Sequence, residues 1–361
     1  MTDVPSNNAV NSQDRETGKS RQTEQGGPEQ PGLVREYELA VTIERDAVVL
    51  PLVRGRRRAL SGAVYDRDGK LVVHSQRIGG GRDESNPPSI QRPESSFRIE
   101  GRSLFGGILF RNFGHTLLEG TSRFWALSAM QERPPRIVYQ ASTPDVRDVF
   151  RRMRADGYFS VLLDVAGYTI EDIVLVEDKP AVCEELIVPQ TALAISKYVH
   201  PRFCEFFDEV ADRLKSRSAA GPGGQRIYLS RSLLKGKKRR ADNEPEIEQL
   251  AKAAGFQIVH PQTLPFEEQV AVIRGADVVA GCDGSAMHLT IFARPKTRII
   301  CFDSRVGLTQ RLIEQLRSLE GVRIEMPGVK KAPVEGGVHG KRVQTWTADL
   351  HEVRQAFSQY K

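Results

Sequence analysis

The chain has little cysteine, and what it has forms no pattern. Cys183, Cys204, Cys282 and Cys301 make no C-x-x-C pair and have no close histidine partner. That argues against a structural zinc site and a disulfide framework, and fits reduced thiols in a cytosol. There is no run of 18 apolar residues, so no membrane-spanning helix is expected. The first 20 residues lack the apolar segment of a secretory signal, and the expected location is cytoplasmic. Aromatic residues are few, 7% of the chain, and none are interleaved with the basic runs at 54–58 and 235–240. With no nucleic-acid motif either, nucleic acid is set aside as a partner.

What is present is ordinary globular composition. The 361 residues are 39% hydrophobic, enough for two domains. The formal charge of +6 suits an anionic ligand, an anionic lipid surface or simple solubility, and charge balance alone does not choose among them.

Residues 1–34 are polar and contain almost no large apolar side chain, so a disordered tail is expected. Residues 37–53 are strand-like. Residues 62–77 read as two strands joined by a turn at Asp66-Arg67-Asp68-Gly69, and 79–95 as a Gly-, Pro- and Ser-rich loop. Strands and helices then alternate: strands at 104–110, 136–140, 172–177 and 183–189, helices at 115–130, from Pro144, and at 201–217. The stretch 219–224 has linker composition. Beyond it the alternation is cleaner: strands at 226–231, 257–261, 277–282 and 298–302 with helices at 244–256, 265–276 and 285–293 between them. That is the βα pattern of a parallel sheet covered on both faces. The division is a tail (1–34), an N-terminal α/β domain (35–218), a linker (219–224), a C-terminal α/β domain (225–345) and a last helix (346–361) packing back on the first domain.

Chemistry concentrates in three places. A buried strand ends in Gly281-Cys282-Asp283-Gly284-Ser285 and a helix follows at once. Ligands of open α/β sheets sit beyond the carboxyl ends of the strands, and the amides of Ser285, Ala286 and Met287 would face an anion there. The alternative is an ordinary turn with Asp283 or Ser285 as N-cap. Arg231 ends the first strand of the same domain and so points at the same crevice, where a guanidinium can fork a phosphate. Lys237, Lys238, Arg239 and Arg240 form a basic loop before a helix capped by Asn243, placed beside a diphosphate or merely solvated. In the first domain His115 opens a helix directly after an apolar strand, with Glu119 one turn later on the same face. An imidazole titrates near neutrality and suits a general base. The Asp66-x-Asp68 pair has the look of a divalent-cation motif, but Asp and Gly are expected in a hairpin turn for backbone reasons, so no metal site is assigned.

Taken together, RNFGHTLLEGTSRFWAL, YLSR, RRADNEPEIEQL, GFQIVHPQTLPFEEQVAVIRGADVVAG and GCDGSAMHLTIF, in that order over residues 100–305, resemble glycosyltransferase family 61, which includes bacterial capsular-polysaccharide enzymes. The resemblance implies a GT-B-like α/β fold, two Rossmann-like domains with a cleft between them. It also implies inverting, metal-independent sugar transfer from a nucleotide-sugar, a UDP-sugar being favoured, with no separate cofactor. The acceptor would be a glycan or lipid-linked glycan in cell-surface polysaccharide synthesis, with peripheral contact at the inner membrane. His115 sits where the family has its first-domain histidine, Arg231 and Arg239 or Arg240 at its phosphate-side arginines, and Asn243-Glu244 at its Asn-Glu pair. Gly284, Ser285, Ala286 and His288 lie in its diphosphate turn. The family's usual histidine before that glycine is Asp283 here. Asp283 is therefore a second candidate base, and His288 a candidate replacement for the lost imidazole. The rival readings are a non-catalytic binder of anionic polymer or lipid, and a transferase that has lost activity.

Overall fold

The computed structural model describes residues 33–35, 37–54, 60–79, 86–142, 157–215, 225–234, 240–303, 308–325 and 345–360. Two sheets organise them. The first is mixed: β1 (Val41–Val49), β2 (Val64–Tyr65), β3 (Phe97–Leu109), β4 (Arg136–Ala141), β5 (Ile173–Val176) and β6 (Ala181–Pro189) stand in the order β2-β1-β6-β3-β4-β5. β3 to β6 run parallel, whereas β1 is antiparallel to both β6 and β2. The first half is thus less regular than a Rossmann-like sheet.

The second sheet is wholly parallel. Its strands β7 (Gln225–Leu229), β8 (Gln257–Val259), β9 (Ala276–Cys282), β10 (Arg298–Asp303) and β11 (Glu320–Glu325) lie in the order β8-β7-β9-β10-β11. Runs such as Val278-Val279-Ala280 make both faces apolar, as a strand covered on both sides requires. Strand order reverses between β7 and β9, and the crevice at their carboxyl ends is where such sheets bind ligands.

Seven α-helices are described: α1 (Phe113–Leu118), α2 (Tyr158–Ala166), α3 (Arg202–Lys215), α4 (Glu244–Ala253), α5 (Phe266–Gly275), α6 (Leu308–Leu316) and α7 (Leu350–Ser358). The largest apolar cluster joins both halves through α3, whose Phe203, Phe206, Phe207, Val210, Ala211 and Leu214 form one stripe. Phe206 meets Phe124 of the first half at 5.1 Å between ring centroids, and Phe207 meets Phe292 of the second at 5.3 Å. Pro31 to Lys361 form one compact unit.

Several boundaries differ from expectation. The helix expected over 115–130 is α1 followed by a separate 3-10 turn, Phe124–Ala129. Between them Gly120 lies so close to Thr116 that a Cβ would sit 2.6 Å from its carbonyl oxygen. Leu33–Val34, assigned to the tail, pair with Tyr198–Val199; the linker 219–224 and the helix expected from Pro144 lie mostly or wholly outside the described residues. The last helix does not pack back on the first half. Val353, Ala356 and Phe357 of α7 bury themselves with Tyr228, Ile247 and Phe256 on the outer face of the second sheet. That face presents an apolar layer which α4 alone leaves partly uncovered.

Candidate active site

Asn112 ends the loop after β3 in extended backbone, and α1 begins at Phe113. His115 Nδ1 lies 2.5 Å from Glu119 Oε2, one turn along. The other carboxylate oxygen, Oε1, accepts from Arg77 Nε at 2.6 Å. Glu119 is buried and His115 half-exposed, so a shielded carboxylate backs a ring that solvent can reach. Burial pushes the Glu119 carboxyl upward, but the hydrogen bond from His115 and the Arg77 charge outweigh it and hold it below its usual range. An ionised Glu119 accepts the Nδ1 proton and leaves Nε2 as the basic nitrogen.

In the second half, Arg231 follows β7 and Asp283-Gly284 follow β9, at the reversal of strand order. Arg231 Nη1 donates to the Asp283 carbonyl oxygen at 3.3 Å. Gly284 has φ +144°, and a Cβ there would lie 2.8 Å from Arg231 Nη1. Glycine therefore lets the guanidinium lie across the turn. The expected helix is a 3-10 turn, Met287–Phe292. Met287 N already donates to Gly284 O, so it is not open to an anion as expected. The amides of Ser285 and Ala286 donate to no protein group among the described residues. A short 3-10 turn supplies little dipole, so an anion would rest chiefly on those two amides and Arg231.

His288 is fixed by a chain of hydrogen bonds. Thr290 Oγ1 donates to Met287 O at 2.7 Å and accepts from Gln310 Nε2 at 2.9 Å, which turns Gln310 Oε1 toward His288 Nδ1 at 3.2 Å. Nδ1 must then carry the proton. Burial drives the ring's pKa down to about 4, so it is neutral at pH 7.

The two halves meet at Gly114. A Cβ on Gly114 would lie 2.8 Å from Ser285 Oγ and 3.0 Å from His288 Cδ2. The residue before the candidate base thus touches the glycine turn more than 170 positions away.

The remaining sequence candidates fall as follows. Glu244 is 1% exposed; its carboxylate accepts from Tyr228 Oη at 2.8 Å, Arg231 N at 3.1 Å and Cys282 Sγ at 3.6 Å. It braces the ends of β7 and β9. Asn243 forms two hydrogen bonds of 2.9 Å with the backbone of Ala348. Asp283 is half-buried, and its amide donates to Phe302 O. Arg240 begins a two-residue strand paired with Thr345–Trp346, while Lys237, Lys238 and Arg239 lie outside the described residues. Asp66 Oδ1 accepts from the amides of Asp68 and Lys70 at 2.9 and 2.8 Å, so its carboxylate closes its own turn. Among the described residues no group of three His, Cys, Asp or Glu side chains is placed to hold a metal ion, and no helix is long and apolar enough to cross a membrane.

Sequence reasoning missed Arg77 and Gln310. Neither stands in a motif, and only their contacts with Glu119 and His288 reveal them.

A parallel sheet with Arg231 and a glycine turn at its switch point, brought at Gly114 against the helix that carries a histidine–carboxylate pair, makes this crevice the candidate ligand site of an α/β protein. The family model for glycosyltransferase 61 matches residues 113–300, more than half of the chain and both sides of this site. The chain belongs to that family and is a glycosyltransferase. No curated protein matches it.

Proposed function

We propose that the enzyme moves a sugar from a nucleotide-sugar, a UDP-sugar being favoured, to a glycan or lipid-linked glycan acceptor of the cell surface, with inversion and without a metal. The two halves would then act as the two sides of a GT-B arrangement, at the inner face of the membrane. The observation that carries the reading is the contact of Gly114 with Ser285 and His288, which brings the base and the anion turn together.

The acceptor hydroxyl oxygen attacks the anomeric carbon as its proton passes to His115 Nε2. The bond from that carbon to the diphosphate oxygen breaks, and the diphosphate leaves with the electron pair. Arg231 and the amides of Ser285 and Ala286 face the charge that develops. One such donor is worth about 3–4 kcal/mol in a preorganised site. Asp283, on the same turn, is the second candidate for the base. The basic loop with Arg239 and Arg240 would add charge beside the diphosphate, and Asn243 and Glu244 would hold the loop's frame.

The test is a thermal-shift series with UDP-, GDP-, CMP- and dTDP-sugars, with magnesium and with EDTA. One nucleotide class should stabilise the protein equally in both, and Arg231→Ala should abolish the shift. No shift with any donor at millimolar concentration would overturn the reading.

A further inference from the structure

We infer that Arg77 is a positioning residue for the base: it holds the Glu119 carboxylate, and through it keeps His115 with Nδ1 protonated and Nε2 free. The inference rests on the reading of His115 as the base.

The geometry is a relay with both ends fixed. Arg77 Nε donates to Glu119 Oε1 at 2.6 Å while Arg77 Nη1 donates to Gly79 O at 3.2 Å, so backbone anchors the guanidinium. The side chains of Arg77 and Glu119 are 13% and 9% exposed, which makes this a shielded ion pair rather than a surface one. Phe110 braces both ends: Arg77 lies over its ring at 5.4 Å, and the His115 ring stands 5.0 Å from it. Arg77, Phe110 and Glu119 also line a small, partly open cavity of about 30 Å³. Without Arg77, the buried carboxylate would keep, among the described residues, the imidazole alone as its side-chain partner and would draw the Nδ1 proton toward itself. The base would then be held less firmly and at the wrong basicity.

Among the described residues, Glu119 and Arg77 lie behind His115, and His288, across the contact at Gly114, is close enough to interact electrostatically. Arg123, farther along the same segment, directs its guanidinium at the carbonyls of His74, Ser75 and Pro189. Removing the Arg77 charge should therefore favour the protonated ring, and removing the Glu119 charge should disfavour it.

The experiment is an NMR titration of the ring protons and nitrogens of the full chain, which has seven histidines, with His115→Ala to assign the signal. The parent should show the Nδ1-protonated tautomer. Arg77→Gln should raise the titration midpoint by about 0.5–1 pH unit and Glu119→Gln should lower it by a similar amount. His200 and His351 serve as internal references. If Arg77→Gln fails to fold, Arg77→Lys and Glu119→Gln carry the test: the first must keep the tautomer and midpoint, the second must lower the midpoint. An Nε2-protonated parent, or a folded Arg77→Gln whose midpoint stays within about 0.2 unit of the parent, overturns the inference. No donor sugar is needed. Should His115→Ala retain turnover, the base reading fails separately, whatever the titration shows.

Discussion

Gly114 and His288 set the tolerances of the site at the level of single residues. A methyl at Gly114 would need the space held by Ser285 Oγ and His288 Cδ2. Gly114→Ala should therefore leave the fold in place at a cost of about 1–3 kcal/mol, the usual penalty of overpacking, while pushing the glycine turn away from His115. Circular dichroism should show a folded protein and a sugar-transfer assay a large loss of kcat; full turnover would mean that the contact has no part in the chemistry. His288 makes a prediction about pH. Its pKa falls from the ordinary 6.5 to about 4 on folding. Between those values the unfolded chain takes up a proton that the folded ring refuses, so this contribution to stability is constant above about pH 6.5 and is lost as the pH falls toward 4. The ring is only half-buried by surface area, which makes the full shift, worth about 3 kcal/mol, an upper bound. His288→Gln should flatten that part of the stability curve. Urea denaturation of parent and variant at pH 7, 5.5 and 4.5 measures it, and parallel curves would show that the ring is not kept neutral by folding.

The elements show where the sequence was legible. Strands β7, β9 and β10 carry the apolar runs Ile227-Tyr228-Leu229, Val278-Val279-Ala280 and Ile299-Ile300-Cys301-Phe302, so their place and type follow from pattern alone, and the candidate site at their ends follows from the rule for open sheets. His115 and Glu119 were legible for the same reason: a spacing of four on a helix puts them on one face. Arg77 was not, because it reaches Glu119 from 42 positions away and nothing local marks it. The last helix was legible as a helix but not in its partner. Its apolar stripe says that it packs, whereas the choice of the second sheet is made by long-range contacts: Phe357 against Phe256, Phe302 and Tyr228 at 4.8, 5.8 and 6.1 Å. Tyr228 also bonds Glu244, which accepts the Arg231 amide, so α7 supports the site from behind. Phe357→Ala should cost about 3–5 kcal/mol and weaken donor binding at 37 °C more than at 10 °C. Equal weakening at both temperatures would detach the helix from the site.

At the scale of the whole molecule, the question is whether the two sheets behave as two domains or one. A hinged pair with a solvent-filled cleft would keep separate cores. Here one cluster contains Leu104 and Tyr139 of the first sheet together with Leu229 and Val279 of the second, and α3 and α5 lie within it. Phe207, fully buried, packs on Phe292 from the other half. The halves should therefore unfold together. Calorimetry is expected to show a single transition whose calorimetric and van't Hoff enthalpies agree. Phe207→Ala, which empties a seat between the sheets, should lower that transition as a whole, by about 3–5 kcal/mol. Two resolved transitions in the parent would mean that the shared cluster is a contact between independent domains. A variant whose transition splits in two would locate the coupling at α3. Two transitions in the parent would also mean that the contact of Gly114 with Ser285 and His288 belongs to a closed state that the protein leaves and re-enters, and not to its permanent architecture.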